Sequence, residues 1–153
     1  MKALVYTGVE ELIYRDEKDP VETSGESILK VHASGICGSD MHAYHGKDER
    51  RIAPLIIGHE VSGVIQNGKF QGKNAVLNPL ITCGKCEYCT SGREHLCPHR
   101  VLLGMNRPYE RQGVFAELVS SPNQNIYEVP DHLNLNEAAI AEPTAVALSL
   151  IHI

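Results

Sequence analysis

The stretch CGKCEYCTSGREHLC, residues 83–97, holds four of the five cysteines in a chain of 153 residues. Four thiols spaced C-x2-C-x2-C-x7-C form either a disulfide framework in a secreted protein or a closed tetrahedral zinc site. Disulfides among Cys83, Cys86 and Cys89 would close very small rings with poor geometry, whereas three thiolates from one tight turn converge easily on one ion. The spacing therefore favours a metal site, which Cys97 would complete.

The N-terminal segment and the composition indicate a cytoplasmic globular domain. The first acidic residue follows a run of only about seven uncharged residues, several of them polar or glycine, which is a poor signal-peptide core. No apolar stretch is long enough to cross a bilayer. The hydrophobic content of 42% is ordinary, and a net charge of -5 argues against a nucleic-acid partner. We therefore expect neither a membrane nor a nucleic-acid partner.

Hydrophobic periodicity predicts a mainly β domain that ends in short helices. Alternating apolar and polar runs bounded by turn residues predict strands at 2–6, 11–15, 27–35, 60–66, 74–78, 114–121 and 125–130. From residue 133 onward the period becomes helical, with Asn134 or Asn136 as a cap and Pro143 near the start of a second helix. Many short strands separated by glycine turns favour a barrel or a sandwich, and no linker or repeat divides the chain.

The fifth cysteine stands apart from the other four. GICGSDMHAYHG, residues 35–46, places Cys37 at the end of a predicted strand, and IIGHEVSG, residues 56–63, places His59 and Glu60 at the start of another. One thiolate, one imidazole and one carboxylate would form an open zinc site if the fold brought them together. Isolated cysteine and histidine residues are more often packed in a core, so these residues alone leave both interpretations open.

These two segments, the cysteine loop, GVFAELVSSP (113–122) and AEPTAV (141–146) follow one another in an order that resembles a known family. The series is similar to the catalytic, GroES-like domain of zinc-dependent medium-chain alcohol dehydrogenases. The CGSD sequence and the Glu-Pro pair at 142–143 resemble the sorbitol, threonine and polyol dehydrogenase branch.

The resemblance implies the architecture of the whole chain. Residues 1–153 would form a GroES-like distorted barrel, with a structural zinc lobe at 83–97. Residues 134–153 would begin the connection to a Rossmann domain, which this sequence does not contain because it has no G-x-G-x-x-G after a strand.

The resemblance also implies the ligands of two zinc ions. Cys37 and His59 would bind a catalytic zinc, and the carboxylates of Glu60 and Glu142 would alternate with water or substrate in the remaining positions. Glu142 could instead favour the start of a helix whose first position is taken by proline. The four thiols of 83–97 would hold a second, structural zinc, so the nearby His95 and His99 are interpreted as surface residues.

Three further residues receive roles in proton transfer or orientation. Ser39 would take the proton of the substrate hydroxyl, and His42 would pass it toward solvent. Asp40 would hold the His59 ring in one tautomer. The alternatives are that Ser39 and Asp40 only cap a short helix and that His42 is a solvated surface residue.

The implied function is the catalytic portion of a zinc-dependent dehydrogenase that oxidises a secondary alcohol of a polyol, sugar or amino-alcohol substrate. NAD or NADP is implied for the full-length enzyme only, which we expect to be a homo-oligomer. We expect no cofactor-binding residues in this chain and no hydride transfer by it alone. The alternative is a non-enzymatic, zinc-stabilised β-module that binds a partner and holds one zinc instead of two.

Overall fold

The computed structural model describes residues 1–153 and is mainly β, as predicted. The strands are β1 (Lys2–Gly8), β2 (Glu11–Asp16), β3 (Glu26–Gly35), β4 (Leu55–Ile56), β5 (Glu60–Ile65), β6 (Asn74–Leu77), β7 (Leu80–Ile81), β8 (Val101–Leu102), β9 (Leu118–Pro122) and β10 (Ile126–Glu128). The helices are α1 (Gly38–Tyr44), α2 (Glu87–Thr90), α3 (Leu135–Ala138) and α4 (Ala141–Ile151). None of them combines the length and the apolar character that a membrane crossing requires.

Three antiparallel sheets form the curled half-barrel. The largest has the order β10-β6-β5-β3-β9, the second has the order β2-β1-β4, and β7 pairs with β8. The phenyl ring of Phe115 packs against all three apolar clusters of the core and so joins the first two sheets. The main cluster lies on the five-stranded sheet and consists of Leu29, Val61, Ile65, Ala75, Leu77, Leu103, Val114, Val119 and Ile126.

The predicted strands are confirmed, with one error at a strand start. Residues 114–117 are not regular strand, and β9 begins only at Leu118. The reason is that this segment crosses between two sheets: the Phe115 carbonyl accepts from Leu4 N–H, whereas the Glu117 carbonyl accepts from Val31 N–H. The two-residue strands β4, β7 and β8 were not predicted because two residues cannot show an alternation.

A side-chain cap marks the start of α3, and the first turn of α4 contains a proline. The Asn134 side chain accepts the Glu137 N–H at 2.9 Å, so Asn134 caps α3, and the other candidate, Asn136, lies inside the helix. Pro143 is the third residue of α4, within the first turn, where a missing N–H costs no helical hydrogen bond. The apolar side chains of α4, such as Leu148 and Leu150, are exposed.

Candidate metal centres

The four-cysteine loop folds into a compact lobe outside the sheets. Cys86 precedes α2, Cys89 lies within that helix, and Cys97 follows a single 3-10 turn at 94–96. All four Sγ atoms lie within 4.8 Å of one another. The closest pairs are Cys86 with Cys89 at 3.5 Å and Cys97 with Cys83 at 3.7 Å.

These distances match the requirements of a tetrahedral ion. With Zn–S bonds of about 2.3 Å, the edge of a four-sulfur tetrahedron is about 3.8 Å. No pair of these sulfurs forms a disulfide. The donor set and its geometry therefore fit zinc, and a closed set of four thiolates leaves no position for a substrate.

The thiols also influence one another's protonation. Backbone N–H groups of Lys85 and Cys86 donate to the Cys83 sulfur and lower the pKa of Cys83 to about 6. The Cys89 N–H acts in the same sense on Cys86, but desolvation and the neighbouring sulfurs outweigh it and raise the pKa of Cys86 to about 11. Four adjacent sulfurs thus resist simultaneous ionisation, and a divalent cation would remove that repulsion.

A second cluster forms between β3 and β5. Ligand atoms of Cys37, His59 and Glu60 lie within 4.8 Å of one another, although Cys37 precedes His59 by 22 positions in the sequence. Cys37 precedes α1 directly after β3, and Glu60 begins β5 opposite Gly35 in the antiparallel register. His59 and Glu60 are buried, whereas Cys37 is half-buried. The strand pairing therefore builds a partly open site with one sulfur, one nitrogen and one carboxylate donor.

Two glycines make room for these ligands. A Cβ atom on Gly35 would collide with the Glu60 carboxylate, so a side chain there would displace this ligand. Gly58, directly before His59, has φ of +93°, and a Cβ on it would lie 2.6 Å from the Phe115 ring. The glycine of the GHE triplet is therefore required both by its backbone conformation and by its packing.

Asp40 has two roles in the structure. Its Oδ2 accepts the Cys37 N–H at 3.0 Å, which closes the start of α1. Its Oδ1 lies 3.6 Å from His59 Nδ1, and both of these buried atoms lack a hydrogen-bond partner. The carboxylate thus faces one ring nitrogen and leaves Nε2 as the other donor, an arrangement typical of metal-bound histidine. The capping alternative and the orienting hypothesis are compatible.

Burial and charge act in opposite directions at His59 and Cys37. Burial lowers the pKa of His59, but the Asp40 carboxylate and the Cys37 sulfur outweigh it and raise the pKa to about 8. At Cys37, burial raises the pKa of the thiol. Hydrogen bonds from the Ser39 side chain and backbone, together with His59, outweigh burial, so the pKa of Cys37 is lowered. The pair favours a thiolate beside an imidazolium, and a metal cation would replace the proton.

The structure does not bring Glu142 into the same group. Glu142 is the second residue of α4, and its carboxylate is not among the ligand atoms that lie within 4.8 Å of one another. The pKa of Glu142 nevertheless responds to the charges of the cluster. Burial raises this pKa, His59 opposes the rise, and Glu60 adds to it. Its assignment as a ligand stays a prediction.

The other histidines named in the sequence analysis are exposed. His42 lies one turn after Ser39 on α1, and no hydrogen bond joins the two side chains. His95 and His99 are exposed near the cysteine lobe, as predicted for surface residues.

Sequence reasoning missed Arg51, whose side chain is fully buried beside the open site. Its Nε–H donates to the Gly104 carbonyl at 2.9 Å, and its Nη1–H donates to the Ser39 carbonyl at 3.3 Å. Its Nη2 lies 3.4 Å from Ser39 Oγ and 3.8 Å from Asp40 Oδ1. The local sequence, KDERRI, is a charged run that would normally be solvated, so it contains no signal that Arg51 is buried.

Asp48 completes the surroundings of Arg51. Burial raises the pKa of Asp48, but hydrogen bonds from Arg50 and the charges of Arg50 and Arg51 outweigh this effect and lower the pKa to about 2. The Arg50 side chain is 61% exposed, whereas that of Arg51 has no exposed surface. Two adjacent arginines thus share one carboxylate but differ completely in burial.

One sizeable hollow of the chain lies away from both clusters. Its volume is about 670 Å³, and none of the cysteine, histidine or glutamate residues of the two clusters lines it. The donor atoms of the two clusters therefore lie outside this hollow.

Comparison with known proteins identifies the family. Residues 23–131 match the family model of the alcohol dehydrogenase GroES-like domain. L-threonine 3-dehydrogenase from Anaeromyxobacter sp. (strain K) is 35% identical over 99% of this chain and 48% of its own length. Galactitol-1-phosphate dehydrogenase from Escherichia coli superposes with a TM-score of 0.90 at 26% identity, over 99% of this chain and 44% of that one.

A further solved structure contains a cofactor. A short chain alcohol dehydrogenase from Escherichia coli CFT073, complexed with NADH, superposes with a TM-score of 0.87 at 30% identity, over 97% of this chain and 44% of that one. This chain therefore spans about half the length of the relatives that it matches. The matched domain and the relatives together confirm the predicted resemblance. This chain belongs to the GroES-like domain family of zinc-type medium-chain alcohol dehydrogenases, in the threonine and polyol dehydrogenase branch.

Proposed function

We propose that this chain is the catalytic portion of a zinc-dependent dehydrogenase that oxidises a secondary alcohol of a polyol, sugar or amino alcohol. The observation that carries the proposal is the convergence of Cys37, His59 and Glu60 in a partly open cluster, separate from the closed four-thiolate lobe. A closed lobe can only stabilise the fold, whereas an open set of sulfur, nitrogen and oxygen donors leaves a position for a ligand.

Cys37, His59 and Glu60 would hold the zinc of the open site, and Glu142 would supply a further carboxylate. A zinc ion in such a site acts as a Lewis acid, which lowers the pKa of a hydroxyl group. The fit rests on the unpartnered His59 Nδ1 and Asp40 Oδ1, which face each other as the outer support of a metal-bound imidazole does.

The chain's own residues would then manage the proton of the substrate hydroxyl. The Ser39 hydroxyl lies beside the Cys37 sulfur and would accept the proton in exchange for its own. His42, one turn later on α1 and exposed, would return the proton to solvent. Asp40 would keep the His59 ring in one orientation throughout. The hydride would pass to NAD or NADP, for which residues outside this chain would provide the binding site.

Zinc content per chain tests the proposal. Elemental analysis of the intact protein should give two zinc ions, and Cys37→Ser should give one, because that substitution removes the sulfur ligand of the open site only. Cys97→Ser serves as the matched variant for the lobe and should retain the open-site zinc if the barrel stays folded. One zinc in both the intact chain and Cys37→Ser would contradict the proposal and favour a zinc-stabilised β-module.

A further inference from the structure

The buried guanidinium of Arg51 requires an explanation that packing alone does not give. Removing a charged group from water is costly unless its N–H groups are satisfied. Its partners belong to three different segments: Ser39 on α1, Asp48 in the following connection, and Gly104 after β8. An apolar side chain could fill the same space without this desolvation cost.

Several contacts of Arg51 are to the first turn of α1. This turn directly follows the proposed ligand Cys37 and contains Asp40, which supports His59. Both the carbonyl and the hydroxyl of Ser39 accept from the guanidinium, and the Asp40 Oδ1 atom lies 3.8 Å from Nη2. The Asp40 carboxylate in turn accepts a hydrogen bond from the Cys37 N–H and faces the His59 ring. Arg51 therefore contacts Ser39 and Asp40, the two residues next to the proposed ligands. It forms no hydrogen bond with the ligand atoms themselves.

The geometry of these contacts also constrains the Ser39 hydroxyl. A hydroxyl has one proton to donate and two lone pairs that accept. Because the guanidinium can only donate, the Ser39 oxygen accepts on that side and its own proton must point elsewhere. The Cys37 sulfur is a neighbour that can accept this proton.

We propose that Arg51 is a positioning residue of the open metal site, which fixes the Ser39 hydroxyl and the Asp40 carboxylate in the orientations that Cys37 and His59 require. This proposal rests on the function proposed above. The planar, rigid fork of arginine suits the role, since it donates to several acceptors at fixed angles, whereas a lysine ammonium cannot reproduce that pattern.

Arg50 provides a matched control. It is the adjacent residue and donates to the same Asp48 carboxylate, but it is exposed and forms no hydrogen bond or ion pair with Ser39 or Asp40. Arg50→Met and Arg51→Met therefore remove the same charge from neighbouring positions, and only the second removes the contacts to α1. Arg51→Lys keeps the charge and removes the fork.

Cobalt(II) is the probe of the open site. The four-thiolate lobe is first filled with one equivalent of zinc, and cobalt(II) is then titrated while its visible absorption and its thiolate charge-transfer band are recorded. We expect Arg51→Lys and Arg51→Met to weaken cobalt binding about 10-fold, the lower end of the range for losing an outer-shell partner of a metal ligand, because Arg51 acts on the ligands through Asp40 and Ser39. Arg50→Met should bind like the unsubstituted chain, and zinc retention by the lobe against a chelator should be unchanged in all three variants.

Three results would overturn the proposal. The first is an Arg51→Lys variant whose cobalt affinity and spectrum equal those of the unsubstituted chain. The second is an equal loss of metal from both sites, which would show that Arg51 only supports the fold. The third is an unsubstituted chain that binds no metal beyond the lobe zinc, which would refute the proposed function itself and is recognised before any variant is made.

A measurement on the unsubstituted chain covers variants that fail to fold. In nitrogen-15-labelled protein, filling the open site with zinc should shift the side-chain Nε–Hε resonance of Arg51 more than that of Arg50, because only Arg51 contacts the support of the ligands. Equal shifts of the two resonances would refute the positioning role.

Discussion

Replacing Gly58 by alanine tests the packing that places His59. The backbone of Gly58 has φ of +93°, a conformation that side chains other than glycine rarely adopt. A Cβ atom there would lie 2.6 Å from two carbons of the Phe115 ring, closer than carbon atoms approach in folded proteins. The ring cannot withdraw easily, since it packs against all three apolar clusters.

Two costs follow from this geometry. The left-handed backbone costs a residue with a side chain roughly 1–2 kcal/mol. Overpacking of a core costs roughly 1–3 kcal/mol more. We therefore expect Gly58→Ala to lower the free energy of unfolding by about 3 kcal/mol, which corresponds to a fall of about 6–12 °C in melting temperature for a domain of this length.

Gly72→Ala separates the two costs. Gly72 has φ of +78° but no atom within 4 Å of an added Cβ, so its substitution introduces the backbone strain without the collision. Urea unfolding with saturating zinc measures both variants, and we expect Gly72→Ala to cost about 1–2 kcal/mol. In a double-mutant cycle, Phe115→Leu should recover part of the loss in Gly58→Ala. Equal losses in the two alanine variants, or no coupling to Phe115, would refute the packing argument.

Two further predictions concern pH and metal. Because the pKa of Asp48 is about 2 in the folded chain, below its ordinary value of 3.8, its contribution to stability is present above about pH 4 and is lost as the pH falls toward 2. After allowance for solvent screening at the exposed Arg50, we expect Asp48 to contribute about 1 kcal/mol to the free energy of unfolding. The stability difference between the unsubstituted chain and Asp48→Asn should therefore shrink as the pH falls from about 4 to about 2. A difference that stays constant would contradict the assignment. Removal of zinc by a strong chelator should make residues 83–97 susceptible to protease while the sheets stay protected, because this polar lobe has little apolar burial of its own. Mass spectrometry of the fragments locates the cleavage sites. Cleavage spread evenly over the strands would contradict this prediction.

The parts of the structure that were predicted correctly depend on local chemistry. The four thiols of the lobe lie within fifteen residues, so their spacing alone restricts how they can be arranged around one ion. The cap at Asn134 and the long strands β1, β3 and β5 likewise follow from side chains that are neighbours in sequence. In each case the interaction that decides the structure is contained in the segment from which it was predicted.

The parts that were missed depend on distant segments. Residues 114–117 have the alternation of a strand, but their hydrogen bonds go to two different sheets, which the pattern cannot show. Arg51 lies in a charged run, yet it is buried because Gly104 and Ser39, from either side of it in the chain, supply acceptors. The distance of the Glu142 carboxylate from the other donor atoms depends on where α4 packs, which no local pattern determines, and its assignment as a ligand stays a prediction.

The two metal centres differ in what each requires of the fold. The lobe needs only its own loop, so zinc binding can order it independently of the sheets. The open site requires the β3–β5 register in which Gly35 faces Glu60, and a slip of one residue would move Glu60 to the opposite face of the sheet. The site therefore exists only when the five-stranded sheet is correctly paired. Glu60 begins β5 with His59 directly before it, while Asp40 and Arg51 hold Cys37 and the first turn of α1. The closed site is built from one local stretch of sequence, whereas the open site is built from segments that strand pairing brings together. This difference explains why Cys37 lies far from the other four cysteines in the sequence.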